Sequence, residues 1–242
     1  MANWSDPRMT AGAAGAQVGT RDAAFDAGLR SYMLSVYNYM AGAVALTGVV
    51  AWAFADSGMA QQVLSTPLRW VIMLAPLAFV MVLSFGINKL STATAQLLFW
   101  TFAVAMGLSM SAIFLVYTDT SIAQTFFAAS AAFLGLSLYG YTTKRDLSAF
   151  GSFLIMGVVG LLVASVINIF LQSGTFQLVI SFIGVLLFAG LTAYDTQRIK
   201  SMYAHVAGTD MMGKTIILGA LSLYLDFVNM FQFLLSFMGS RD

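Results

Sequence analysis

Apolar residues in this chain run in long blocks, neither alternating nor confined to a narrow helical stripe. Seven blocks stand out, at roughly 33–54, 68–87, 97–117, 122–141, 150–171, 176–196 and 215–238. A bilayer-spanning helix needs about 20 mostly apolar residues, and each block meets that length. The breaks are short and carry turn residues or charges: Asp56-Ser57-Gly58, Asn88-Lys89, Thr118-Asp119-Thr120, Lys144-Arg145-Asp146 and Gln172-Ser173-Gly174. The pattern predicts an all-α polytopic membrane protein with seven transmembrane helices. A soluble bundle would need polar outer faces, and a membrane barrel would alternate in segments of about ten residues.

Composition agrees. Hydrophobic residues make up 60% of the 242 positions and charged residues 9%, against about 25% charged in a soluble domain. The few charges become informative once sorted by place. With the N-terminus inside, the inner segments hold Arg8, Arg21, Arg30, Lys89, Lys144, Arg145, Arg198, Lys200 and Lys214, and the outer ones only Arg69 and Arg241. Positive residues favour the cytoplasmic side, so the N-terminus is expected in the cytoplasm and the C-terminus outside. Residues 1–30, rich in Ala and Gly, read as a mostly disordered cytoplasmic tail that can turn helical from Asp22; residues 31–242 form the membrane domain. A net charge of +1 gives no basic stripe for nucleic acid.

Packing in lipid relies on small residues. Gly107 with Ser111, and Ala131 with Gly135, are spaced for helix contacts. Pro76 is expected to kink the second segment.

Candidate chemistry is sparse. The chain has no Cys and one His, His205 in the loop after segment six, which excludes thiolate zinc sites and leaves no metal-ligand cluster. No intramembrane Lys serves a retinal, and no intramembrane His serves a serine protease. Tyr194-Asp195 resembles the Tyr-Asp pair of intramembrane aspartyl proteases, but Asp226 follows Leu223-Tyr224-Leu225 where those enzymes use Gly-x-Gly. The chain therefore reads as a non-enzyme without a resident cofactor.

Ionisable groups inside a bilayer are expensive, by about 2.5–3.5 kcal/mol or more. Only two acids fall within the segments, Asp195 near the end of the sixth and Asp226 midway along the seventh. Asn229 shares a helix face with Asp226. Two carboxylates that meet share a proton and titrate as a unit, so the pair could latch segments six and seven together. Depth is the obstacle. Counted from Lys200 and Lys214, the two carboxylates differ by about 10 Å along the membrane normal, and a tilt or an earlier helix start must close the gap.

Four stretches bring a family into view: Met106-Gly107-Leu108-Ser109-Met110-Ser111-Ala112-Ile113-Phe114 followed by Tyr117, Tyr139 to Ser148, Ala193-Tyr194-Asp195-Thr196-Gln197-Arg198-Ile199, and Ala220 to Phe231. In order and spacing the chain resembles the bacterial Bax inhibitor-1 family from about residue 30 onward. The resemblance implies six helices around a central seventh, in the bacterial inner (plasma) membrane. It also implies a pH-sensitive calcium leak whose aspartate latch, by motif match, is Asp195 and Asp226, with calcium held transiently between them. A basic helper at the inner end of the second helix corresponds to Lys89, where a relative carries Arg; Arg198 and Asn229 are further supporting positions. Partners so implied are the lipid bilayer, calcium ions and protons. Some relatives are instead linked to a membrane-bound protease, which makes a non-transporting regulator the alternative reading.

Overall fold

The computed structural model describes residues 7–240, with side chains from Ala23 onward. Arg8, Arg21 and Arg241 thus lie outside the described side chains, and so does most of the expected tail. Described backbone begins with α1 (Pro7–Asp56), followed by a short α2 (Met59–Leu64), α3 (Leu68–Gly86) and α4 (Thr92–Met110). A 3-10 turn (Ser111–Leu115) leads to α5 (Asp119–Thr142), α6 (Ser148–Leu171), α7 (Gly174–Val206) and α8 (Met211–Met238). Among the described residues there is no strand. Of the described helices seven, all but α2, are long and apolar enough to cross a membrane, the first from Ala23.

The breaks work by local chemistry. Ser91, Thr118 and Ser173 stand in extended backbone and accept the N–H of Thr94, Ser121 and Phe176, capping α4, α5 and α7. Gly58 (φ 72°) and Gly208 (φ 74°) take the left-handed conformation that ends α1 and α7. The helix α2, too short for any apolar window to reveal, bridges α1 to α3. Within α3 the helix stays continuous through Pro76.

Apolar side chains face outward as well as inward. Phe85 and Phe170 are more than 80% exposed, and Leu134, Met156 and Leu162 more than 60%. Exposed apolar surface on this scale marks contact with lipid. The buried core is polarised toward α8, whose buried side chains include Ile217, Leu223, Tyr224, Phe227 and Met230. The helix α8 packs on α1, α4, α5 and α7, while α3 leans on α4 and α6 on α7. Few side chains of α3 and α6 are buried (Pro76 and Leu83; Gly151, Leu154, Leu161 and Asn168), which suits their outer positions.

Small residues set the close approaches. A methyl on Gly107 would lie 2.8 Å from the Thr47 carbonyl oxygen of α1, and one on Gly140 would lie 2.9 Å from the Ala193 carbonyl carbon of α7. Ser111 is fully buried, in keeping with the first expected pair. The second pair is corrected: Ala131 and Gly135 are exposed, with nothing among the described residues within 4 Å of a methyl on Gly135. The packing face of α5 is instead Thr125, Ala129, Phe133, Ser137 and Gly140. In a helix apolar all round, a small-residue pair alone does not say which face is inward.

The helices alternate in direction. Tyr203 packs against Phe25 and Tyr32 (ring centroids 5.0 and 5.4 Å), and Gly213 abuts Thr92. The start of the first span, the α3–α4 turn and the α7–α8 turn therefore share one end. Gln197 ties the α5–α6 loop to the same end. At the other end, Thr118 N–H reaches the Ser240 carbonyl and Ser240 N–H reaches Ser121 Oγ.

Candidate functional site

The interface of α7 and α8 is the most extensive in the bundle, and it carries both intramembrane aspartates. Its antiparallel register can be read from three contacts: Ile199 against Gly219, Gly184 against the Phe233 ring, and Ser181 Oγ bonded to Ser236 Oγ at 3.0 Å. This register sets Asp195 level with Leu223 and Asp226 level with Thr192. The two aspartates are thus about one turn, or about 4.5 Å, apart along the axis. The 10 Å expected from the sequence is corrected because α7 runs six residues beyond Lys200, to Val206, and α8 begins three before Lys214, at Met211. The long hairpin shifts both reference points.

A directional hydroxyl chain fixes the rotation of α7. Thr196 Oγ1 donates to the Thr192 carbonyl (2.8 Å), so it accepts from Ser137 Oγ of α5 (3.0 Å), which in turn accepts from the Tyr37 hydroxyl of α1. With Thr196 held toward α5, its neighbour Asp195 points about 100° around the helix. There it borders a cavity of about 270 Å³ shared with Arg198 of α7, Ser222 and Leu225 of α8, and Ser84 of α3.

Asp226 is 4% exposed, and its Oδ2 is buried without a hydrogen-bond partner among the described residues. It lies one turn beyond Ser222 on the same face of α8 and within electrostatic reach of Asp195. The cavity reaches Asp195 and ends before Asp226. Arg198, three residues along α7, is the base whose charge acts on Asp195.

The other predicted positions stand apart. Lys89 is exposed in the turn after α3 and does not line the cavity; from that helix Ser84 does. Asn229 turns its amide to the Leu225 carbonyl of its own helix (2.7 Å). His205 is exposed in the last turn of α7, its Nδ1 3.4 Å from the Ser201 carbonyl, rather than in the following loop. Among the described residues no three His or Asp side chains cluster as a metal centre would. Ser222 could have been found from its four-residue spacing to Asp226; nothing in the sequence singles out Ser84.

Comparison with known proteins gives one family. A family model described as "Inhibitor of apoptosis-promoting Bax1" matches residues 29–242. An uncharacterized protein of Rickettsia prowazekii is 46% identical over 224 residues, covering 92% of this chain and 94% of its own. The inner membrane protein YbhL of Escherichia coli is 45% identical over 219 residues, covering 89% and 94%. An uncharacterized protein of Caulobacter vibrioides is 44% identical over 231 residues, covering 91% and 92%.

Proposed function

Since the chain belongs to the Bax inhibitor-1 family of membrane proteins, we propose that it is a pH-sensitive calcium leak of the bacterial inner membrane, latched by Asp195 and Asp226. The carrying observation is the buried, unpartnered Oδ2 of Asp226, one turn from Asp195 across the most extensive helix interface. An ionised carboxylate left alone there is costly, whereas one proton shared by the two carboxylates joins α7 to α8. In the proposed closed state the joined pair blocks passage beyond Asp195, where the cavity ends.

Release of the latch exposes oxygen ligands along a path from Ser84 and Ser222 to the two carboxylates. Calcium takes 6–8 oxygens, so this small fixed set leaves most of its shell to water. Weak holding suits a cargo ion in transit. The helper role falls to Arg198, on the same helix as Asp195, rather than to Lys89. The basic end, with Arg30, Lys144, Arg145, Arg198, Lys200 and Lys214, faces the cytoplasm by the positive-inside rule. No enzymatic step is assigned.

The test is calcium entry into proteoliposomes over a pH series. Wild-type flux is expected to vary with pH, and Asp195→Asn and Asp226→Asn to remove that variation. Unchanged flux and pH profile in both variants would refute the latch. A wild-type chain that passes no calcium would favour the regulatory reading, which pull-downs with and without residues 1–30 would then pursue.

A further inference from the structure

A second polar cavity lies at the same end of the bundle and is not used by the aspartate pair. It measures about 330 Å³ and is bordered by Lys144, Arg145 and Asp146 of the α5–α6 loop and by Tyr194, Gln197 and Arg198 of α7. We propose that this cavity binds the phosphate headgroup of an anionic phospholipid.

Charge is the first argument. Three bases converge on one small space with a single acid. That acid is already engaged: Asp146 Oδ1 accepts the Ser148 N–H at 2.9 Å, and bonding from Ser148 holds its carboxyl below the usual range. Among the described residues neither Lys144 nor Arg145 has a side-chain hydrogen bond, whereas nearby Lys200 is engaged by the Tyr141 carbonyl (2.8 Å) and ring. Like charges held together favour an anion between them.

Rigidity is the second. Gln197 clamps the loop from both sides, accepting from Leu147 N–H (2.9 Å) and donating to the Arg145 carbonyl (2.8 Å). The loop is thereby set before any ligand arrives, which lowers the entropy lost on binding. Arg198 lines this cavity and the Asp195 cavity alike, so the two sites share one charge.

Position selects a lipid as the source of the phosphate. A loop between two spans lies at headgroup depth, and Tyr139, Tyr141 and Tyr194 mark the interface as aromatic residues commonly do. Immediately beyond, Phe150 and Phe153 of α6 stack on each other and are 48% and 60% exposed, a surface for acyl chains. Basic pockets between spans are suited to anionic headgroups.

The experiment is native mass spectrometry of the full chain from phosphatidylcholine nanodiscs with and without phosphatidylglycerol. Wild type is expected to retain phosphatidylglycerol. Lys144→Gln, Arg145→Gln and Arg198→Gln should each weaken retention about fivefold, Arg145→Lys should keep most of it, and Arg69→Gln at the opposite end should change nothing. Thermal unfolding of each variant verifies that it is folded. Equal retention in all variants, or an equal loss with Arg69→Gln, would overturn the site. Saturable binding of inorganic phosphate without phosphatidylglycerol, dependent on the same three bases, would overturn the lipid assignment in favour of free phosphate.

Discussion

At the scale of single residues, hydroxyl bookkeeping decides what a substitution does. Thr47 has one proton, which it gives to the Ala103 carbonyl at 2.9 Å, so the Tyr224 hydroxyl must donate to Thr47 at 2.7 Å. The bond ties α1, α4 and α8 together where both side chains are buried. Tyr224→Phe removes the donor and leaves Thr47 with its other partner; the expected loss is about 0.6 kcal/mol and at most about 1.7 kcal/mol. Thr47→Val instead strands a buried phenol and is expected to cost about 1–3 kcal/mol. Denaturant titration in micelles checks the order, and the double variant should lose less than the two single losses combined. The aspartates were legible at this scale because an acid in an apolar run is improbable without a use. The Thr47–Tyr224 bond was not, because its partners lie 177 positions apart and both are common residues.

At the scale of helices, the question is which small residues let two backbones meet. Gly140→Ala places a methyl against the Ala193 backbone of α7, so one helix must move; a loss of about 1–3 kcal/mol is expected. Gly135→Ala, on the exposed side of the same helix with nothing nearby, should gain up to about 1 kcal/mol from helix propensity. Opposite shifts in thermal midpoint would confirm the assigned face, and shifts of the same sign would reject it. The sequence pointed to Gly135, since Ala131 sits four residues before it. Four-residue spacing occurs on lipid-facing and inward faces alike when every face is apolar. Helix lengths were legible to within several residues at most ends; the exceptions are the start of α1, expected at 33 where the helix begins at Pro7 and its apolar span at Ala23, and the end of α7, expected at 196 where the helix runs to Val206. The extra turns of α7 are amphipathic surface helix and escape an apolar window.

At the scale of the whole molecule, the alternating helices put the start of the first span and the end of α8 at opposite ends of the bundle. With the basic end inward, the Asp56–Leu68 connection lies outside. The natural absence of cysteine makes this testable with single additions. Ser57→Cys should react with an impermeant thiol reagent on intact spheroplasts, and Ala204→Cys only after permeabilisation. The reverse pattern would invert the proposed orientation.

The sequence by itself determined the class of the molecule, its number of spans, its family likeness and the identity of its two intramembrane acids. These follow from local facts: the length of apolar runs, the residues that break them and the rarity of charge within them. Only the tertiary structure decided how far apart those acids lie, because the α7–α8 register depends on where Ile199 meets Gly219 and Gly184 meets Phe233. It also decided that Lys89 does not line the Asp195 cavity whereas Ser84 does, and that Arg198 and the α5–α6 loop enclose a common cavity. Side-chain rotation about a helix axis and contact across long sequence separations are set by packing among helices. In a chain apolar on nearly every face, no periodicity records that packing.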